Sequence, residues 1–245
     1  MKSRNRNVKI LLKVFSGKRY FNRILSMLYV YLMKSLRGLR VDIDKMYIDN
    51  EKWVNIELSG ADARISTKYL DKIIGIVKDI SYLDSDIRRG YITGKHRNCL
   101  VVDLGLLNKG KYMIGILKED SLKKTFKGNS RKIVNMLSKC KHVGLNFILD
   151  DVDHDKNIVN LSLSGETLAL AKEWLDTRSR KILFSGLSKP KLLNILRNIN
   201  IPKRDYRLLM FSPIEGEIVI FNERVAGRIN YEIRKRAPGI IVEVF

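Results

Sequence analysis

The chain has 245 residues, 45% of them hydrophobic, which allows two domains or three small ones and excludes general disorder. With 47 Lys+Arg against 26 Asp+Glu the formal charge is +21, and self-repulsion of that size weakens a compact state unless a partner such as a polyanion neutralises it. Two cysteines, Cys99 and Cys140, exclude a disulfide framework, and the most apolar run, residues 24–33, is about half a membrane span.

The first segment reads as strand, helix, strand, strand, helix, strand. Val8, Ile10, Leu12 and Val14 alternate with Lys9, Leu11 and Lys13, which is strand period. Phe21, Ile24, Leu25, Leu28, Leu32 and Leu36 then fall at helical spacing, and Gly38 offers a stop. Residues 41–48 and 53–58 alternate again around an Asp49-Asn50-Glu51-Lys52 hairpin loop. A helix over 67–75 and a short strand near 80–83 complete a βαββαβ order, the ferredoxin-like split motif, over residues 1–87.

Residues 88–164 read as an all-β unit with one helix. Strands are expected at 90–97, 99–106, 111–118, 145–152 and 157–163, with the helix at 130–138 between the third and fourth. That is the strand order and helix position of an OB-type barrel. A connecting helix spans 165–180, with Leu168, Leu170, Ala171, Trp174 and Leu175 available to pack one lobe on the barrel. Residues 181–245 repeat the βαββαβ order. Their first helix opens at Ser188 and Pro190, a turn over 212–216 joins the middle strands, and a basic helix over 225–236 ends at Pro238-Gly239. The fold class expected is α+β: a central barrel flanked by two ferredoxin-like lobes.

Within the barrel, Gly90-Tyr91-Ile92-Thr93-Gly94 followed by Leu100-Val101-Val102-Asp103-Leu104 resembles the opening of S1 RNA-binding domains. Val143-Gly144 and the closing Leu161-Ser162-Leu163-Ser164 resemble their end. The resemblance implies an S1-type OB fold that binds RNA, and the whole arrangement also resembles an uncharacterised archaeal family with a domain of unknown function. The chain departs from the S1 pattern at Asn98, Val101 and Gly115, where base-stacking aromatics or a His are usual. Tyr91 and Tyr112 are possible substitutes. Grip on phosphates or folded RNA shape is therefore expected from charge: Arg88, Arg89, Lys95, His96 and Arg97, then Lys109 and Lys111, then Lys123, Lys124, Arg131 and Lys132. In the last segment Arg228, Arg234, Lys235 and Arg236 extend the basic set.

Other chemistry finds little support. Asp150, Asp151, Asp153 and Asp155 form a dense acidic cluster. An EF-hand counted from Asp151 would need Gly and Glu where Lys156 and Ser162 stand, so the cluster reads as a polar turn and no metal is expected. No nucleophile elbow, phosphate loop or paired Cys/His spacing occurs, so neither an enzyme, nor a cofactor, nor a small-molecule substrate is expected. The expected function is non-enzymatic binding of structured RNA in the cytoplasm, associated with the ribosome and with no membrane. The rivals are a transcription-associated factor on RNA polymerase and nascent RNA or DNA, and a metal-dependent nuclease using the acidic cluster.

Overall fold

A computed structural model describes residues 5–176 and 178–245; the basic opening at 1–4 and Thr177 lie outside them. Three buried clusters, one per unit, organise the chain. The first unit contains β1 (Arg6–Lys13), α1 (Phe21–Ser35), β2 (Asp42–Ile48), β3 (Trp53–Ser59) and α2 (Ala63–Ile73). Its sheet is antiparallel in the order β1-β3-β2. Val8, Ile10 and Leu12 pack with Ile24, Leu28 and Leu32 of α1, as their periods of 2 and 3.6 require.

The fourth strand expected near 80–83 is not there. The chain touches the open edge of β1 through one bridge, Ile10 with Ile76, then leaves it. Its next residues, β4 (Lys78–Asp79), pair in parallel with the barrel, and 80–83 contains a 3-10 turn, Ile80–Tyr82. The first sheet therefore has three strands among the described residues. The segment that would close a four-stranded sheet instead joins the lobe to the barrel.

The middle unit is β5 (Ile87–His96), β6 (Cys99–Asn108), β7 (Lys111–Lys118), α3 (Glu119–Phe126), α4 (Ser130–Leu137), β8 (Leu145–Asp153) and β9 (Ile158–Leu163). Pairing runs β5 to β6, β6 to β7, β7 to β9, β9 to β8 and β8 back to β5, with β7–β9 the parallel pair. This closed five-stranded mixed barrel fits an OB-like fold. Leu100, Val102, Leu104, Met113, Leu117, Val159 and Leu161 fill it.

The last unit follows α5 (Gly165–Leu175) and contains β10 (Arg180–Ser185), α6 (Lys189–Asn198), β11 (Tyr206–Ser212), β12 (Glu215–Ile220), α7 (Glu223–Arg236) and β13 (Ile241–Val244). Its sheet runs β11-β12-β10-β13, all antiparallel. β12 starts at Glu215, so the expected five-residue turn is two residues, Pro213-Ile214. Trp174 of α5 stacks on Phe245 at 5.9 Å and donates to Glu217, seating this sheet on the barrel. No helix among the described residues is long and apolar enough to cross a membrane.

Candidate nucleic-acid interface

Alternation turns Tyr91 and Asp103 away from the barrel core, onto the face that OB folds commonly use for ligands. In this protein the first lobe covers that part of the face. Leu11, Trp53 and Tyr91 form a small cluster of their own, with the Trp53 and Tyr91 rings 5.7 Å apart edge to face. Lys13 reaches across to Asp103 at 2.5 Å, its ammonium 4.4 Å from the Trp53 ring centroid. Gly105 lets the lobes approach, since it has φ +57° and a Cβ there would lie 2.5 Å from Leu11 Cδ2.

The neighbouring units enclose three of the expected RNA contacts: Tyr91 and Arg88 are buried and Arg89 is largely covered. Tyr91 is fully buried; its hydroxyl accepts from the Lys13 amide at 3.2 Å and donates to Glu215 Oε1 at 2.9 Å. Burial, with the Glu215 carboxylate beside it, drives the Tyr91 phenol far above its ordinary range. Arg89 is ion-paired with the fully buried Glu215 and donates to the Phe211 carbonyl at 2.9 Å. Arg88 is 5% exposed and donates to the carbonyls of Leu104, Gly105 and Ile76. Tyr112 is half-buried and accepts from Lys9 Nζ at 2.9 Å; burial pushes its pKa up to about 12. Alternation turns Tyr91 and Tyr112 away from the barrel core, but it carries no information about the units that pack over them.

One end of the barrel is different. The β5–β6 hairpin turns at Arg97-Asn98, where Asn98 O accepts from the amide of Glu119 at 2.8 Å. Lys95 Nζ donates to Asn135 on α4 at 2.5 Å. The turn, α3 and α4 thus share one end, because Leu122 and Phe126 of α3 pack with Ile133, Val134 and Leu137 of α4. The sequence pattern over 119–126 reads as a basic loop, yet Leu122 and Phe126 stand four residues apart, the helical signal for α3.

The outward side of this end carries Lys95, His96, Arg97, Lys123, Lys124, Arg131 and Lys132, all exposed. Lys123 pairs with Asp120 at 2.6 Å. Arg97, Lys124, Arg131 and Lys132 have no carboxylate within ion-pair distance among the described residues. Arg97 sits at φ +49°, a conformation in which an arginine costs on the order of 1 kcal/mol.

Lys109 and Lys111 lie at the other end of the barrel, because β6 and β7 run its full height. There the β6–β7 turn meets the β8–β9 turn: Asn108 donates to His154 O at 2.7 Å and to Asn157 Oδ1 at 2.9 Å. Asp150 accepts from Ser162, Asp151 from Asn160 and Asp153 from Lys156, whose hydrogen bond holds the Asp153 carboxyl below its ordinary range. Among the described residues no three His, Cys, Asp or Glu side chains form a set that could hold a metal.

The basic helix of the last unit does not join the barrel surface. Ile229 and Ile233 of α7 pack with Ile182, Ile218 and Ile220, while Leu183, Glu217 and Phe245 on the opposite face of the sheet meet the barrel and α5. Arg228, Arg234, Lys235 and Arg236 are exposed on the far side of that sheet. Arg234 donates to Val242 O and Arg236 pairs with Glu232. The basic set of the last unit therefore lies across its own sheet from the barrel.

No family model matches the sequence, and neither does any curated protein. Among solved structures the chain is similar to the intact alpha subunit of aIF2 from Pyrococcus abyssi, at 9% identity and a TM-score of 0.24, over 66% of this chain and 97% of that one; a likeness of that degree carries no argument about function.

Proposed function

We propose that this is a non-enzymatic, cytoplasmic RNA-binding protein that grips the phosphate backbone of structured RNA in association with the ribosome. The observation that carries the reading is the group of exposed, unpaired cations at the hairpin, α3 and α4 end of an OB-like barrel. Cations with no internal partner are free to release counterions from a phosphate polymer. Base reading plays little part, because Tyr91 is buried and Tyr112 is half-buried with its hydroxyl engaged by Lys9. The barrel is read as S1-type on its opening and closing motifs, and the last unit as ferredoxin-like on its strand order, β11-β12-β10-β13. The three-stranded first lobe keeps that order without its fourth strand and serves as a cover over the barrel face.

The test is binding of a folded ribosomal RNA fragment across a salt series, for the natural protein and for Lys95→Glu/Arg97→Glu/Arg131→Glu/Lys132→Glu. The natural protein should show a steep salt dependence, and the variant a slope reduced by about 0.9 for each phosphate it no longer neutralises. Equal slopes would remove this end from the mechanism. Sedimentation of a cell lysate separates the partners: travel with ribosomal subunits supports the reading, and travel with RNA polymerase replaces it.

A further inference from the structure

A cleft of about 730 Å³ opens where the three units meet, away from the basic end of the barrel. Lys68 and Lys72 of α2 line one side, Arg88 of β5 lies at its base, and Phe211 of β11 and Ile73 of α2 supply apolar wall. Arg88 is almost wholly enclosed, yet it has no carboxylate within ion-pair distance among the described residues. Its hydrogen-bond partners are three backbone carbonyls, which orient the guanidinium without cancelling its charge. The two carboxylates that line the cleft, Asp71 and Asp84, are held by Lys78 at 2.7 and 3.7 Å, and Asp71 acts on Arg88 only at longer range. Burial lowers the Arg88 pKa to about 10, which leaves it cationic at neutral pH.

Lys68 and Lys72 add two exposed ammonium groups one helical turn apart, a like-charged pair that repels itself until an anion lies between. A buried cation and two lysines, none with a carboxylate at ion-pair distance among the described residues, together with apolar walls in one cleft match a phosphate joined to a flat apolar group.

We propose that this cleft binds a nucleotide through its phosphate, with Lys68 and Lys72 in contact, Arg88 supplying buried positive potential, and the base against Ile73 and Phe211. The nucleotide is either free or one unit of an RNA strand. The cleft is separate from the barrel end, so its ligand does not depend on the RNA grip there.

Calorimetric titration of the full chain with AMP, adenosine and a short single-stranded oligoadenylate tests it. AMP should bind roughly tenfold or more tightly than adenosine, and Lys68→Glu/Lys72→Glu should weaken AMP roughly tenfold or more. Both positions are exposed, so the melting temperature of that variant should hold. The four-fold barrel-end variant should bind AMP like the natural protein. An oligoadenylate bound much more tightly than AMP identifies a strand as the source of the nucleotide, and equal affinities identify the free nucleotide. Failure of both AMP and oligoadenylate to bind, or binding that survives the double reversal, overturns the proposal.

Discussion

The strand face of the barrel and its hairpin-and-helix end are built from the same residue types and use them in opposite ways. Where the neighbouring units cover the barrel, Lys13 of the first lobe is paired with Asp103, Arg89 is paired with Glu215 of the last unit, and Tyr91 is bonded at its hydroxyl from both. At the hairpin end, Arg97, Lys124, Arg131 and Lys132 are exposed to water and have no ion-pair partner among the described residues. The difference follows from solvation. A cation moved under another lobe loses its hydration and needs a partner, whereas an exposed one does not. A formal +21 therefore overstates what is available to a ligand, and pairing and exposure identify the available part.

The contrast can be broken most severely at Glu215. Glu215→Ala strands Arg89 and Tyr91 in the interior and should cost about 3–5 kcal/mol in urea denaturation. A loss no larger than that of an ordinary surface substitution would show that this junction does not hold the lobes together.

A second large effect is expected with pH. One oxygen of Glu217 accepts from Trp174 Nε1, the other has no hydrogen-bond partner among the described residues, and burial raises the pKa from 4.5 to about 7. The folded chain then holds this proton more tightly than the unfolded chain. The associated stability is complete below 4.5, declines as pH rises, and is gone above about 7, with an upper bound of about 3 kcal/mol. Melting temperatures across that interval should fall for the natural protein, and Glu217→Gln should flatten this part of the profile.

A smaller effect sharpens the comparison between the two ends of the barrel. Reversal of Lys95, Arg97, Arg131 and Lys132 should weaken RNA binding by at least about 1.4 kcal/mol, a factor of ten, with little change in stability. Reversal of Lys109 and Lys111, beside the acidic β8–β9 turn, should cost less in the same RNA-binding measurement. Equal losses at the two ends would mean that charge count alone governs binding. The smallest effect is expected for Arg97→Gly. Release from a positive φ should raise stability by about 1 kcal/mol while RNA affinity drops, so stability and binding move in opposite directions.

Much of the barrel is legible along the chain. Alternation over residues 99–106 and 111–118 puts Leu100, Val102, Met113 and Leu117 inward, where they are found, because period 2 assigns faces locally. Lys95, Arg97, Arg131 and Lys132 also stand out in the sequence, and all four are exposed. Other features are hidden for identifiable reasons. α3 is obscured by its high lysine content, Glu215 by its place next to a Pro213-Ile214 turn, and Lys68 and Lys72 because α2 gives no sign of the cleft beside it.

Local order therefore came from the sequence itself: the residue periods, the turn residues and the overall charge are properties of neighbouring positions. Tertiary structure alone decided that Arg88 and Tyr91 are buried and Arg89 largely covered, that β4 (Lys78–Asp79) pairs with the barrel, and that α7 faces away from it. Each of these depends on which lobe covers which face. That choice is set by apolar contacts and buried ion pairs between residues far apart in the chain, such as Lys13 with Asp103 and Arg89 with Glu215, which no local pattern encodes.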